Sequence, residues 1–276
     1  MSKEVVIVSA VRTPIGSFLG SLSTIPAAKL GAIAIKGALA KINLNPELVQ
    51  EVLMGNVVQA GVGQAPARQA AIYAGIPNTV PCTTINKVCA SGMKAVMQAA
   101  QSIALGDADI IIAGGMESMT KAPHYIPSGR SGIKYGNGQI IDAIVRDGLQ
   151  DPYNGEMMGV CGEVCAEGKN ITKAEQDEYA LASYLRAREA YTNGWFDDEL
   201  VPVEIVGRKG TTVVSRDEEV DNGRISDINS VSGARAVFKK GGTVTAVNAS
   251  KINDGGASVV MMSKEKCEEL GLKPIA

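Results

Sequence analysis

A cysteine at a strand-to-helix junction is the residue of this chain best placed to do covalent chemistry. Cys89 follows the extended run Val80 to Lys87 and directly precedes Ala90-Ser91-Gly92-Met93-Lys94-Ala95-Val96, which has a helical pattern. The first N–H groups of a helix lack intrahelical partners, and its dipole presents a positive end there. A thiol at that point is drawn toward thiolate and becomes nucleophilic. Gly92, one turn in, would let a neighbouring backbone or a ligand come close. The competing reading is a buried small hydrophobe, the usual fate of a free cysteine. Position alone leaves both readings open.

Other reactive residue types form weaker patterns. Cys161 and Cys165 share one helix face at a spacing of four, but no second ligand pair accompanies them, so buried helix-face residues are expected and no metal site. Cys82 lies on a strand and Cys267 near the end. The single histidine, His124, sits in a proline-rich loop, where a structural or exposed residue is expected. Gly114-Gly115 follows a strand without the spacing of a phosphate-binding loop, so a tight turn is predicted there. Glu117 is expected to be buried or to cap, and Asp217-Glu218-Glu219 to form a solvated face.

The elements that must position these residues follow from pattern. Val5 to Val8 reads as a strand buried on both faces, Pro26 to Ile42 as a helix, and Glu51 to Gln59 as a strand. Pro66 to Ala74 is a short helix with proline at its start and Gly75 as its left-handed stop. Ala90 to Leu105 is a helix closed by Gly106, and Asp109 to Ala113 a strand. This alternation predicts an α/β fold with a largely parallel sheet. Residues 120–155 are rich in proline and glycine and read as loops. Thr172-Lys173-Ala174-Glu175 is a capping box opening a helix to Asn193. Thr243 to Val247 and Ser258 to Met262 read as strands separated by a Gly255-Gly256 turn, so the middle third is an excursion out of a sheet that the chain rejoins near residue 245.

Composition narrows the classes. The 276 residues suffice for about two domains. With 27 Lys plus Arg against 29 Asp plus Glu, the net charge of −2 gathers no polyanion, so neither nucleic acid nor a membrane surface is expected as partner. Five widely spaced cysteines without a secretory leader, and no long apolar run, predict reduced thiols in a soluble cytoplasmic protein.

The segment Ile85-Asn86-Lys87-Val88-Cys89-Ala90-Ser91-Gly92-Met93-Lys94-Ala95 resembles the active-cysteine signature of the thiolases. Five further blocks resemble thiolase sequence in order and spacing: Ala10 to Phe18, Gly63 to Ala71, Gly114-Gly115-Met116-Glu117-Ser118-Met119, Glu175-Gln176-Asp177, and Asn248-Ala249-Ser250 with Asn253-Asp254-Gly255. The likeness covers essentially the whole chain. The 120–155 stretch is more similar to the biosynthetic acetoacetyl-CoA thiolases than to the long-chain degradative ones.

The resemblance implies a three-layer α/β/α thiolase-like N-terminal domain, residues 1–119 plus 246–276, with an inserted CoA-binding loop domain, 120–245. It implies acetyl-CoA and acetoacetyl-CoA as substrates, no cofactor beyond these coenzyme A thioesters, and a homodimer or tetramer. Cys89 would carry the acyl group, its own N–H helping to hold the oxyanion. Leu149, Met158, Phe238, Ala246, Ala249 and Ser250 fall where relatives line the pantetheine and adenine channel. Two departures stand out. Glu219 to Arg224 replaces an arginine expected beside the adenine, with Arg224 as a substitute from a shifted loop or the nucleotide end held weakly. Val247 and Lys251 flank Asn-Ala-Ser where glycine is usual, and Lys251 either meets phosphate or obstructs. A thiolase has a second half, repeating the fold, with Asn-Glu-Ala-Phe, Gly-His-Pro and Cys-Gly-Gly motifs. That C-terminal repeat domain is absent from the sequence, so the isolated chain is expected to be inactive and a separate C-terminal half is a possible partner. The rival readings are a decarboxylating condensing enzyme of the same superfamily and a non-catalytic CoA-binding or pairing subunit.

Overall fold

Strand parity organises the first of two units, which comprises Met1–Ala122, Asp198–Asp217 and Asn253–Ala276. The computed structural model describes residues 2–276 apart from Lys209 and residues 222–224. The sheet contains β1 (Val5–Arg12), β2 (Gly16–Ser17), β3 (Glu51–Gly55), β4 (Cys82–Ile85), β5 (Ile110–Ser118) and β10 (Asn253–Ser263). Its order is β1-β10-β5-β3-β4, with β2 also on β10. Val52, Met54, Ile110, Ile112, Val260 and Met262 point to one face, where they pack under α1 (Ala27–Lys41) and α2 (Pro66–Ala74). The intervening Leu53, Ile111, Ala113 and Met261 meet Ala95, Ala99 and Ile103 of α3 (Ser91–Leu105) on the other. Helices on both faces explain why these strands read as unbroken apolar runs. The result is the expected α/β/α layering.

The sheet is mixed, not largely parallel. β3 pairs parallel with β4 and β5, but β10 lies antiparallel to β1, β2 and β5. It re-enters the sheet without a crossover helix of the kind that enforces parallel pairing. Both glycine pairs lie inside strands instead of making turns, and at one member of each pair neighbouring backbone leaves no room for a side chain. A Cβ on Gly114 would fall 2.1 Å from the Ala257 carbonyl oxygen, and one on Gly256 2.8 Å from the Leu30 carbonyl group.

The hairpin β8 (Val203–Gly207) and β9 (Gly210–Val214) also belongs to this unit. Arg12 ties its flanks to β1: Nε donates to Glu199 at 2.6 Å, and the two terminal nitrogens donate to the two Asp217 carboxylate oxygens at 2.7 and 3.0 Å. Asp217 is therefore a partner in the core's margin, not part of a solvated face. After β10, Ser263 caps α7 (Lys264–Glu269).

The second unit is Pro123–Asp197 with Glu218–Ile252. It holds the short pair β6 (His124–Tyr125) and β7 (Ile141–Asp142), a π-helical turn Ile144–Leu149, α4 (Met158–Lys169), α5 (Lys173–Thr192) and α6 (Ile228–Ser232). The Thr172–Glu175 capping box forms as its spacing predicts. Relative to the expected insertion of 120–245, the unit boundaries give residues 120–122 and 198–217 to the first unit and 246–252 to the second. Thr243 to Val247 is not a strand: it contributes one isolated bridge, Ala236 to Thr245, within a hydrogen-bonded turn. No described helix is long and apolar enough to cross a membrane.

Candidate active site

The Cys89 thiol is exposed, which removes the buried-hydrophobe reading. It stands two residues before α3, after Val88, whose φ of 50° places a β-branched residue in the left-handed region. Local bonds hold that bend. The Val88 N–H donates to Asn86 Oδ1 at 3.0 Å, its carbonyl accepts from the Ser91 N–H at 3.0 Å, and Ser91 Oγ accepts the Lys87 N–H at 2.8 Å. Among the described residues the Cys89 N–H donates no hydrogen bond.

Glycines set the height of this turn above the sheet. A Cβ on Gly55 would lie 2.7 Å from the Gly92 nitrogen and 2.8 Å from the Ser91 carbonyl carbon. The first turn of α3 therefore rests on bare backbone. Gly92 itself has room: a Cβ there would come no nearer than 3.6 Å to any neighbour, the Gly114 oxygen. The close approach is to protein backbone, and the position that demands glycine is Gly55.

Glu117 supports the same region. Its carboxylate accepts from the Val57 N–H at 2.8 Å, the Val58 N–H at 3.4 Å and Asn56 Nδ2 at 2.8 Å. Asn86 Nδ2 in turn donates to the Val57 carbonyl at 3.4 Å. Burial pushes the Glu117 carboxyl up, the three donors oppose that rise, and Asp254 adds to it. Asn56 carried no signal in the sequence; Asn86 did, within the cysteine signature, and Glu117 did, through its Gly-Gly-Met-Glu block.

The candidate coenzyme-A residues all lie in the second unit. A bridge between Gln150 and Met157 brings the chain at Leu149 beside Met158, the first residue of α4. Gly159 and Gly162, one helical turn apart, give α4 a flat strip that receives the Phe238 ring and Val244. Leu149 and Phe238 are half-buried, whereas Met158 is exposed. Ala246, Ala249 and Ser250 occupy the turn that follows, Ala249 half-buried and the other two exposed. Lys251 Nζ donates to the Ala246 carbonyl, so it closes this turn. Arg224 lies outside the described residues. Cys161 and Cys165 are exposed on α4, not buried, and His124 is an exposed residue 3.9 Å from Asp142.

The first unit thus holds an exposed thiol ahead of α3, and the second a hydrogen-bonded turn packed on α4. Residues 5–265 match the thiolase N-terminal domain model, and the chain belongs to the thiolase family. It is 54% identical over 278 residues to an acetyl-CoA acetyltransferase of Schizosaccharomyces pombe, an alignment spanning 100% of this chain and 70% of the relative. A probable acetyl-CoA acetyltransferase of Dictyostelium discoideum is 54% identical over 275 residues, covering 99% of this chain and 66% of that protein. An acetyl-CoA acetyltransferase of Saccharomyces cerevisiae is 50% identical over 284 residues, with 100% and 70% covered. The chain thus spans about two thirds of the length of these relatives.

Proposed function

We propose that this chain performs the acyl-carrier step of an acetyl-CoA C-acetyltransferase. The Cys89 thiolate attacks the thioester carbonyl of acetyl-CoA and forms a carbon–sulfur bond. The tetrahedral oxyanion collapses, the bond to the coenzyme sulfur breaks, and CoA leaves as a thiolate that takes a proton from solvent. The Cys89 N–H, which donates to no other group among the described residues, would help to hold that oxyanion. In the second step another acetyl-CoA loses a methyl proton, its carbanion attacks the acetyl-cysteine, and acetoacetyl-CoA forms as the Cys89 thiolate departs. Thiolysis is the reverse. Leu149, Met158, Phe238, Ala246, Ala249 and Ser250 would receive the pantetheine and adenine portions of the substrate.

The exposed thiol at the start of α3 is the observation that carries this reading. The proton-transfer groups of the second step belong, by family resemblance, to the Gly-His-Pro and Cys-Gly-Gly motifs, which do not occur in these 276 residues. Turnover therefore depends on those groups being supplied. Mixing the purified chain with acetyl-CoA and measuring intact mass should give an adduct of about 42 Da on Cys89, absent in C89S, without steady formation of acetoacetyl-CoA. No adduct on the folded chain refutes the carrier role. Release of labelled carbon dioxide from malonyl-CoA, with extension of the acetyl group held on Cys89, would favour the decarboxylating condensing enzymes instead.

A further inference from the structure

The Glu175-Gln176-Asp177 block has no part in the chemistry above, yet it meets the turn that would hold the coenzyme. Residues 243–250 are gripped from two helices. On α4, the Glu163 carboxylate is 4% exposed and takes the Thr243 N–H on both oxygens at 2.8 Å, the Val244 N–H at 2.8 Å and the Thr243 hydroxyl at 2.9 Å. On α5, Gln176 Nε2 donates to Thr243 Oγ1 at 2.9 Å, and Asp177, 1% exposed, accepts from Asn248 Nδ2 at 3.0 Å. Lys173, one turn earlier, neutralises Asp177 at 2.5 Å.

Inside the turn the bonds continue. Asn248 Oδ1 accepts the Thr245 N–H at 2.7 Å, and the fully buried Thr245 hydroxyl accepts the Val247 and Asn248 N–H groups at 3.2 Å. The donors of Thr243, Val244, Thr245, Val247 and Asn248 all point inward. Among the described residues, the N–H groups of Ala246 and Ser250 have no partner. These two positions are among those assigned to the pantetheine, a chain of amides that offers carbonyl acceptors.

We propose that Glu163 and Asp177 are positioning residues that pre-form the 243–250 turn, so that its two unpaired amide groups meet the coenzyme without an ordering cost. This rests on the coenzyme-binding reading of Ala246, Ala249 and Ser250. A buried carboxylate is suited to the task because it accepts several N–H bonds at fixed geometry and donates none. In E163Q the amide group would face the Thr243 or Val244 N–H. In D177A, Asn248 keeps only the Thr243 carbonyl and Lys173 only the Ser232 carbonyl, so the tie from α5 to the turn through Asn248 is lost. Binding to a disordered turn must supply the ordering entropy itself, which weakens affinity and leaves the chemistry of the bound state intact.

The test uses the full chain in wild-type, E163Q, D177A and D177N forms, with circular dichroism to verify folding. CoA is titrated calorimetrically, and Cys89 acetylation is followed by mass against acetyl-CoA concentration. We expect the Kd for CoA and the half-saturating acetyl-CoA to rise about tenfold in E163Q and D177A. The acetylation rate at saturation should stay within about twofold of wild type, and D177N, which keeps an acceptor for Asn248, should recover most of the affinity. Unchanged CoA affinity in a folded variant, or a loss confined to the saturated rate, overturns the positioning role and leaves the carrier role standing. Wild-type chain that is acetylated on Cys89 by a short acetyl thioester but does not bind CoA overturns the assignment of the turn and this inference together. Wild-type chain that does neither overturns the carrier reading as well.

Discussion

The two candidate regions are positioned by opposite physical means. In the first unit, the Cys89 turn is held at its height by the absence of atoms: α3 lies on Gly55 with no side chain between, and β5 passes β10 at Gly114 where any Cβ would collide with backbone. In the second unit, the 243–250 turn is held by the presence of charge, through carboxylates that collect backbone N–H groups and the Asn248 side-chain amide. Steric positioning resists pH and fails when volume is added. Polar positioning tolerates volume at its rim and fails when an acceptor is lost. The acids of the two regions follow the same division. Glu117, half-buried near the end of β5, has its carboxyl raised because burial outweighs its donors. Glu163 is also opposed by burial, but the Val244 and Thr243 N–H groups outweigh it, and its carboxyl is lowered.

The largest effect should come from adding one carbon at Gly55. In G55A the new Cβ meets the Gly92 nitrogen and Ser91 atoms, and backbone cannot rotate away as a side chain would. We expect a loss of about 3 kcal/mol in urea unfolding of the first unit. Displacement of the α3 start by as little as about 1 Å should slow Cys89 acetylation about 100-fold. An alanine variant with wild-type stability and acetylation would break the steric side of the comparison.

The pH dependence of stability separates the two acids. Glu163 has a folded value below its ordinary 4.5, so its stabilising contribution is complete above that ordinary value and is lost as pH falls through the folded value. Glu117 has a folded value above its ordinary 4.5. Its contribution is present below the ordinary value and is lost as pH rises through the folded one. Urea midpoints for wild type, E163Q and E117Q across about pH 3 to pH 7 should show this. The advantage of wild type over E163Q should grow with rising pH, while that over E117Q should shrink. Parallel curves for the two variants would refute the assignment of opposite shifts.

Much of this was legible in the sequence where the signal was local. Pro66 and Gly75 bracket α2, with Gly75 at φ 91°. Gly106 closes α3 in the left-handed region, and the Thr172 and Glu175 pair opens α5. Each of these needs only a few adjacent residues. The failures share a different cause. Gly114, Gly255 and Gly256 look like parts of turns because the reason for glycine lies on another segment, such as Ala257 of β10, Ile15 or Leu30 of α1. Asp217 reads as solvated because its partner, Arg12, is 205 residues away. Thr243 to Val247 has the composition of a strand, but Glu163 takes the donors a strand partner would need. The thiol at Cys89 combined both kinds of evidence: helix signals placed it, and only coordinates showed that it faces outward.

Gly92 offers the finest test of the division between regions, because sequence and structure assign it different roles. From sequence it is the residue that admits a close neighbour. In the structure a Cβ there has ordinary contacts, 3.6 Å to the Gly114 oxygen, 3.8 Å to its carbonyl carbon and 3.9 Å to the Gly115 Cα. Its φ is not in the left-handed region, so alanine meets no backbone obstacle. Replacing glycine by alanine in a helix favours the folded state by up to about 1 kcal/mol, and less in the first turn, where fewer bonds depend on it. G92A should therefore raise the urea midpoint slightly and leave Cys89 acetylation within about twofold. If acetylation instead falls tenfold or more while stability holds or rises, space above Gly92 is needed by the thioester. The glycine would then serve the ligand, and the steric account of the first region would narrow to Gly55 and Gly114.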